Sequence, residues 1–130
     1  MEKIINAQIK STRFCFKSGC LTFEVFFEHQ KGSQSIGDYC IGHGSMYTDK
    51  EENITGTKKG AEAMARIMWV VGVDTWENLK GTYCRVKFDE ETQLLTSIGH
   101  ILNDRWFNLV EYVNHPQAED LWACHEQLSP

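Results

Sequence analysis

The stretch LTFEVFFE, residues 21–28, shows the strict alternation of a β-strand that has one apolar face. Its odd-numbered residues are all apolar, and its even-numbered residues are polar apart from Phe26, which makes the second face a candidate contact surface. A Ser-Gly pair supplies a turn before it, and residues 4–10 and 13–16 form shorter apolar-rich runs. The sequence therefore predicts that the N-terminal part is built from paired strands.

The middle of the chain changes from a strand period to a helical one. Residues 34–41 form a weaker third strand that Gly37 interrupts, and residues 42–60 are rich in glycine and charge, as loops are. Over residues 60–71 the apolar positions recur at helical spacing. The predicted buried face of this helix carries Ala61, Met64, Ile67, Met68 and Val71. Gly72 then ends the predicted helix in the usual C-terminal manner.

The last part of the chain returns to strands and then to short helices. Residues 82–88 and 93–102 alternate and are joined by a polar hairpin connection. Asp74 is predicted to cap a single helical turn that precedes them. Two further short helices are predicted, at residues 108–113 and at roughly residues 116–128.

This order of elements predicts an α+β fold with a mostly antiparallel sheet. The helix of residues 60–71 is expected to pack on one face of the sheet, because the connections around the hairpin are too short for parallel crossovers. A length of 130 residues is that of one domain. We therefore expect a single domain over residues 1–130, with about residues 115–130 as a C-terminal helical extension.

The composition restricts the partners and the compartment. The chain has 13 Lys and Arg against 18 Asp and Glu, for a net charge of -5, which argues against binding to polymeric nucleic acid or an anionic membrane. It has no apolar run of about 18 residues and no apolar leader, so we expect neither a membrane span nor export. The five cysteines are odd in number and far apart, and they are predicted to be reduced thiols in the cytoplasm.

Residues for catalysis or metal binding form no convincing cluster in the sequence. Cys40 with His43, and Cys124 with His125, are the only candidate pairs for a nucleophile and its base, and buried structural thiols are the simpler interpretation. Cys40 and His43 also have the spacing of half a zinc site, but no second half follows. We therefore expect no catalytic residue, no metal and no cofactor.

The strongest cluster of ligand-binding residue types lies in the second half of the chain. Arg85 is predicted to share a strand face with Tyr83 and Lys87, and the run HILNDRWF follows at residues 100–107. Arginine pairs with phosphate, aromatic rings stack on bases, and amides and carboxylates hydrogen-bond to ribose or base edges. A structural alternative stays open, in which Trp106 and its neighbour are core anchors.

The motifs GVDTWENLKGTYCRV, residues 72–86, and IGHILNDRWF, residues 98–107, resemble a family of small phage proteins, the type 1 Thoeris anti-defence proteins. The resemblance also includes the Gly37-Asp38-Tyr39 segment and covers nearly the whole chain, short of the last fifteen or so residues. Asp38 stands where the family pattern has a second glycine, and Arg105 stands at a Lys-like position.

The resemblance implies a sponge without catalytic activity. Such proteins bind cyclic ADP-ribose isomers, the signals made by bacterial TIR-domain immune enzymes, and release them unaltered. Their pockets form where two protomers meet, so a homo-oligomer, a dimer or higher, is expected. Some members also capture cyclic oligonucleotides at separate sites. In the cytoplasm of the infected bacterium, such a protein would deprive an immune effector of its signal.

The residues are assigned to parts of such a ligand by their chemistry. Arg85 and Arg105 are expected at the diphosphate, and Trp106 or Phe26 is expected to stack on the purine. Polar side chains are expected to contact ribose hydroxyls or base edges. The full set of predicted ligand-binding residues is Phe26, Gln34, Tyr39, Arg85, His100, Asn103, Asp104, Arg105 and Trp106.

Two other functions remain open from the sequence. A small acidic phage inhibitor could act by protein–protein contact with a host defence complex, using the acidic runs at residues 49–52 and 89–91. An enzyme could instead cleave the signal with Cys40 or His100. The first would bind no free nucleotide, and the second would not return its ligand intact.

Overall fold

The computed structural model describes residues 2–114. Residue 1 and residues 115–130 lie outside the described part. The predicted C-terminal helical extension, and the candidate pair Cys124 and His125, therefore lie outside the described residues.

The described chain forms one antiparallel sheet, one main helix and a short C-terminal helix. The strands are β1 (Glu2–Lys17), β2 (Cys20–His29), β3 (Gly32–Gly37), β4 (Gly42–His43), β5 (Thr55–Gly56), β6 (Tyr83–Asp89), β7 (Leu94–Gly99) and β8 (Trp106–Asn108). The helices are α1 (Lys58–Val71) and α2 (Leu109–Asn114), and two 3₁₀ turns lie at Glu51–Asn53 and Glu77–Leu79. The sheet order is β5-β4-β2-β1-β6-β7-β8, with β3 also beside β2. The α+β fold with a mostly antiparallel sheet is confirmed.

The long hairpin of β1 and β2 organises the sheet. Its turn has Ser18 and Gly19 at φ of 54° and 82°, the left-handed values that a tight hairpin turn needs. The two short strands predicted at residues 4–10 and 13–16 are one strand, interrupted between Ile9 and Ser11 by a bulge. Only the first half of β1 pairs with β6, whereas the second half pairs with β2 alone among the described residues.

The core lies between the apolar face of the sheet and α1. Phe23, Val25 and Phe27 of β2 are buried, as their alternation predicted. The buried positions of α1 are Gly60, Ala63, Ile67, Val70 and Val71. Of the predicted face, Ile67 and Val71 are buried and Met64 and Met68 are partly buried against the core, whereas Ala61 is exposed. Gly60 lets the helix approach Ile41, because a Cβ on Gly60 would lie 2.5 Å from the Cβ of Ile41.

Several predicted boundaries differ from the structure. The segment 42–60, predicted as a loop, contains β4 and β5, which pair with each other. The strand predicted over 93–102 ends at Gly99, so the residues after it form a loop. The N-cap residue of the second 3₁₀ turn is Trp76 rather than Asp74, and the Oγ1 of Thr75 accepts a hydrogen bond from the Asn78 backbone N–H at 3.2 Å.

The reduced state predicted for all five cysteines is wrong for two of them. Cys20 and Cys40 form a disulfide, with Cα atoms 5.2 Å apart. The pairing depends on the turn after β3, which returns the chain beside the start of β2, and the sequence spacing does not show this. Cys15 and Cys84 are free. Because disulfides are typical of oxidising compartments, the cysteines do not support a cytoplasmic location. Within residues 2–114, no helix is long and apolar enough to cross a membrane.

Candidate functional site

The loop of residues 100–105, between β7 and β8, is folded around the ring of His100. Nδ1 of His100 accepts hydrogen bonds from the backbone N–H groups of Leu102 and Asn103, at 3.1 and 3.0 Å. A ring nitrogen that accepts has no hydrogen, so Nε2 of the neutral ring carries it. The loop is closed by the His100 backbone N–H, which donates to the carbonyl of Arg105 at 3.0 Å.

Arg85 supports this loop from the neighbouring strand. Its Nε donates to the carbonyl of His100 and its Nη2 donates to the carbonyl of Asn103, both at 2.8 Å. Arg85 reaches both carbonyls because it pairs with Gly99, the last residue of β7. The guanidinium predicted to bind a diphosphate thus donates to two main-chain carbonyls, which gives Arg85 a positioning role.

Trp106 lies flat against the sheet beside Arg85. The indole covers Gly99, where an added Cβ would lie 2.5 Å from Cε3 of the ring. The guanidinium of Arg85 and the ammonium of Lys87 lie 4.9 and 4.6 Å from the ring centre. Trp106 also lines a cavity of about 240 Å³ together with Arg66, Phe107, Asn108, Glu111 and Tyr112.

Arg105 lies in a different cavity, although it is the preceding residue. Its guanidinium stacks 4.7 Å from the ring centre of Trp69, which is 60% exposed near the end of α1. The cavity, which we call the helix-end cleft, has a volume of about 550 Å³ and is lined by Trp69, Gly72, Val73, Asp74, Asn78 and Arg105. Neighbouring residues of an extended segment point to opposite sides, so Arg105 and Trp106 serve different cavities.

Gly72 ends α1 with φ of 95°, a left-handed conformation that favours glycine. A Cβ there would be in ordinary van der Waals contact with the loop, 3.5 Å from Nε2 of His100 and 3.6 Å from Nη2 of Arg105. The side chains of His100 and Arg105 therefore both lie beside the helix end. The Nε of Arg105 is buried without a hydrogen-bond partner among the described residues.

The helix-end cleft combines the groups that contact a nucleotide. Trp69 offers an exposed ring for stacking, Arg105 offers a cation for phosphate, and Asp74 offers a carboxylate that accepts from ribose hydroxyls. Asn78 adds an amide that can donate to and accept from a base edge. The volume of the helix-end cleft lies within the range of about 300–1,000 Å³ that small-molecule sites occupy, whereas the volume of the cavity beside Trp106 falls below that range.

Three predicted ligand-binding residues lie away from this loop. Phe26 is on the outer face of β2, paired with Ser11, with the Arg13 guanidinium 5.2 Å from its ring centre. Gln34 is on the opposite face, where its amide donates to the Gln93 carbonyl at 2.7 Å. Tyr39 packs against the core, and burial raises the pKa of its hydroxyl. The loop of residues 100–105 and its neighbours hold the other six, which are Arg85, His100, Asn103, Asp104, Arg105 and Trp106. Arg105 and Trp106 line different cavities, and Asn103 and Asp104 are exposed.

The prediction missed the other walls of the helix-end cleft, which are Trp69, Asp74 and Asn78. Trp69 carried a usable signal, because it is a large aromatic residue off the apolar face of an amphipathic helix. Asp74 was interpreted as a helix cap, so its carboxylate was not considered as a ligand contact. Asn78 carried no signal of its own.

A second cavity lies beside the hairpin turn, next to the start of β2. This hairpin cavity, of about 390 Å³, is lined by Gly19, His43, Gly44, Ser45, Thr48, Glu52, Asn53 and Thr55. Its lining holds hydroxyl, amide and imidazole groups and one carboxylate, but no lysine or arginine. An anionic ligand is therefore favoured in the helix-end cleft rather than here.

No cysteine is among the described residues that line the helix-end cleft or the hairpin cavity. Cys40, a candidate nucleophile, is held in the disulfide with Cys20. Burial raises the pKa of the Cys84 thiol to about 12, so it stays protonated at neutral pH. Within residues 2–114, no group of three or more His, Cys, Asp or Glu side chains is placed to hold a metal ion.

Comparison with models of known families, with curated proteins and with solved structures finds no match to this chain.

Proposed function

We propose that this protein is a phage anti-defence sponge that binds cyclic ADP-ribose isomers in the helix-end cleft and releases them without cleavage. The ligand class follows from the resemblance of residues 72–86 and 98–107 to the type 1 Thoeris anti-defence proteins. The proposal includes action in the cytoplasm of the infected bacterium and a homo-oligomer, and it includes neither polymeric nucleic acid nor a membrane as partner. Cyclic oligonucleotides are a further ligand class that the resemblance implies.

The observation that carries the proposal is the stacking of Arg105 on Trp69 in a cleft that also holds Asp74. Each of the three matches a different part of a cyclic ADP-ribose isomer: Arg105 the diphosphate, Trp69 the purine and Asp74 a ribose. The predicted site is thereby revised, because Arg105 keeps its predicted role, Trp69 replaces Trp106 as the stacking ring, and Arg85 becomes a support of the loop.

The cleft suits binding more than bond cleavage. A sponge must hold its ligand at nanomolar concentrations, which requires roughly -12 kcal/mol. A charged anchor on a fixed loop lowers the ordering cost that binding must overcome. The Arg85 hydrogen bonds and the His100 ring fix that loop before any ligand arrives. The cleft is open to solvent on one side, which leaves room for a second protomer to enclose the ligand.

Calorimetric titration with cyclic ADP-ribose and its glycosidic isomers tests the proposal. We expect Arg105→Ala to weaken binding by about 1.5–3 kcal/mol, because a charge-assisted pair with the diphosphate is lost. Arg66→Ala is the matched control, since it removes one positive charge from the cavity beside Trp106 and should leave binding unchanged. Heating the complex and chromatographing the released ligand should return it intact.

The other outcomes separate the alternatives. A ligand that is altered after release would identify an enzyme. Loss of binding in Arg66→Ala but not in Arg105→Ala would move the site to the cavity beside Trp106. No binding of any isomer or cyclic oligonucleotide would contradict the sponge and favour the protein–protein inhibitor.

A further inference from the structure

The second half of β1 presents an open edge. β6 pairs with β1 from Glu2 to Gln8, and the last contacts on that side are the hydrogen bonds of Ile9 with Gly81 and Thr82, at 2.7 and 2.9 Å. From residue 10 to residue 17, no other described strand lies on that side. Phe14 and Phe16, at 53% and 39% exposure, stand on this part of the strand. An unpaired edge with exposed aromatic residues is a template for pairing with another strand.

Lysine and arginine residues usually protect such an edge from pairing, but here each is neutralised within its own sheet. Arg13 pairs with Glu24 at 3.3 Å. Lys17 pairs with Asp38 at 3.0 Å, and Lys10 lies 4.0 Å from Glu28. The cations are therefore directed across the sheet to their own carboxylates, which lowers their repulsion of an incoming strand.

We infer that this edge pairs with the same edge of a second copy, so that one antiparallel sheet continues across a two-fold axis at Phe14. A two-fold axis perpendicular to the sheet reverses the strand and keeps both apolar faces on one side. Such an axis requires that one residue of the strand lie opposite the same residue of the partner strand. This edge would be the interface of the homo-oligomer proposed above. The inference rests on the proposed function only because that proposal includes a homo-oligomer.

The charges and the bulge select Phe14 as the central residue. An axis at Arg13 would place that cation opposite itself, and an axis at Cys15 would place Arg13 opposite the partner's Lys17. An axis at Thr12 would require pairing across the bulge that begins at Ile9. With the axis at Phe14, the whole regular segment from the bulge to the hairpin turn is used.

In this register the cross-strand neighbours are compatible. Phe14 lies opposite the partner's Phe14, Thr12 opposite the partner's Phe16, and Arg13 opposite the partner's Cys15. Aromatic and β-branched pairs of this kind stabilise antiparallel sheets. Phe14 and Phe16 share a face, since they pair with the inward-facing Phe23 and Leu21 of β2. Pairing would therefore bury four phenylalanine rings that one copy leaves partly exposed.

The arrangement brings the second copy towards the helix-end cleft. The partner's Lys17 would lie opposite Ser11, where the edge meets Gly81 and Thr82. The Thr82 hydroxyl donates to the carbonyl of Asn78 at 2.8 Å, and Asn78 is a wall of the cleft. The hairpin turn of the second copy would thus come beside that wall.

Self-association of the full chain, measured without nucleotide by analytical ultracentrifugation, tests the inference apart from the proposed ligand. We expect a dimer of twice 15.0 kDa, and Phe14→Asp should raise its dissociation constant at least tenfold. Tyr47→Asp, a change at a side chain that is 95% exposed and lies off the edge, should leave the dimer unchanged. Circular dichroism of Phe14→Asp checks that the variant is folded.

A crosslink tests the register. Opposite residues of antiparallel strands have Cα atoms about 4.5–5.5 Å apart, which suits a disulfide. In a Cys15→Ser background, mild oxidation of Phe14→Cys should give a covalent dimer on a non-reducing gel. Phe16→Cys should not, because it lies opposite Thr12. The Thr12→Cys/Phe16→Cys double variant should crosslink again.

Three outcomes would overturn the inference. The first is a monomer at about 100 µM protein in which the amides of residues 11–17 that point away from β2 are protected from hydrogen exchange, since another part of the same chain would then cover the edge. The second is a monomer in which these edge-facing amides are unprotected. The third is a dimer that neither Phe14→Asp weakens nor Phe14→Cys crosslinks, because it would use another surface.

Discussion

The helix-end cleft and the hairpin cavity are both bounded by a loop and by glycine residues, but they differ in charge and in the aromatic rings that line them. The cleft holds Arg105 stacked on Trp69, whereas the described lining of the hairpin cavity has no lysine or arginine and no aromatic side chain other than the imidazole of His43. Shape alone would make both cavities candidates. The comparison shows that a cation held beside an exposed ring distinguishes the one that can hold a diphosphate and a base together.

The two cavities also differ in how their loops are held. The loop of residues 100–105 is fixed by Arg85 from the sheet and by its own histidine ring. The loop at the hairpin cavity is held by the pairing of β4 with β2 and β5 and by the Gly44 backbone N–H, which donates to the Gly19 carbonyl at 3.2 Å. The cleft loop therefore depends on side chains for its position, so substitutions can test whether holding this loop in place is needed for tight binding.

The largest effect is expected from a glycine that precedes the cleft loop. Gly99→Ala would place a Cβ 2.5 Å from the indole of Trp106, and Arg85 and Lys87 lie over the same ring. We expect a loss of about 1–3 kcal/mol in the free energy of unfolding, because the ring must move. Chemical denaturation measures it.

The matched control is Gly56→Ala beside the hairpin cavity. A Cβ on Gly56 meets no atom within 4 Å, so this variant should keep its stability. Equal stability of the two variants would show that Trp106 is not fixed against the sheet as described.

The next largest effect is expected on ligand binding, from the exposed aromatic ring in the helix-end cleft. Trp69→Ala should weaken binding of a cyclic ADP-ribose isomer by about 1–2 kcal/mol, within the range for stacking of a base on an aromatic ring. Tyr47, which follows Ser45 of the hairpin cavity by two positions, is the matched position, and Tyr47→Ala should have no effect. Calorimetry on both variants provides the comparison. Weaker binding in Tyr47→Ala alone would place the ligand in the hairpin cavity.

The features that could be predicted from the sequence are those that the local pattern of residues determines. The alternation over residues 21–28 identified the buried face of β2, and Gly72 identified the end of α1. The bulge after Ile9 could not be predicted, because it appears only when β1 is paired with β2. The disulfide depends likewise on the pairing of β2 with the two-residue strand β4.

The site was predicted in part for the same reason. His100, Asn103 and Arg105 lie on one loop, so their proximity is visible in the sequence. The ring that stacks on Arg105 comes from α1, and only the packing of that helix against the loop brings them together. The consecutive residues Arg105 and Trp106 were expected in one pocket, but the extended backbone separates their side chains.

The smallest effect separates a positioning role from a ligand contact at Arg85. Arg85→Lys keeps the positive charge but cannot donate to the carbonyls of His100 and Asn103 together, as the planar fork does. If Arg85 acts through the loop, binding should weaken by about 0.5–1.5 kcal/mol, the usual net value of a hydrogen bond. The amides of Leu102 and Asn103 should also exchange faster with solvent in the free protein, which the loss of a direct ligand contact would not cause.

Lys87 provides the control for Arg85, because its ammonium lies over the same Trp106 ring and only Arg85 donates to the loop carbonyls in the described structure. Lys87→Gln should leave both binding and exchange unchanged. Weaker binding of Arg85→Lys with unchanged amide exchange would indicate that Arg85 contacts the ligand directly. The diphosphate would then lie on the outer face of β6. Faster exchange with weaker binding would instead mean that the loop must be held in place before Arg105 can act, so that affinity at the cleft depends on the neighbouring strand.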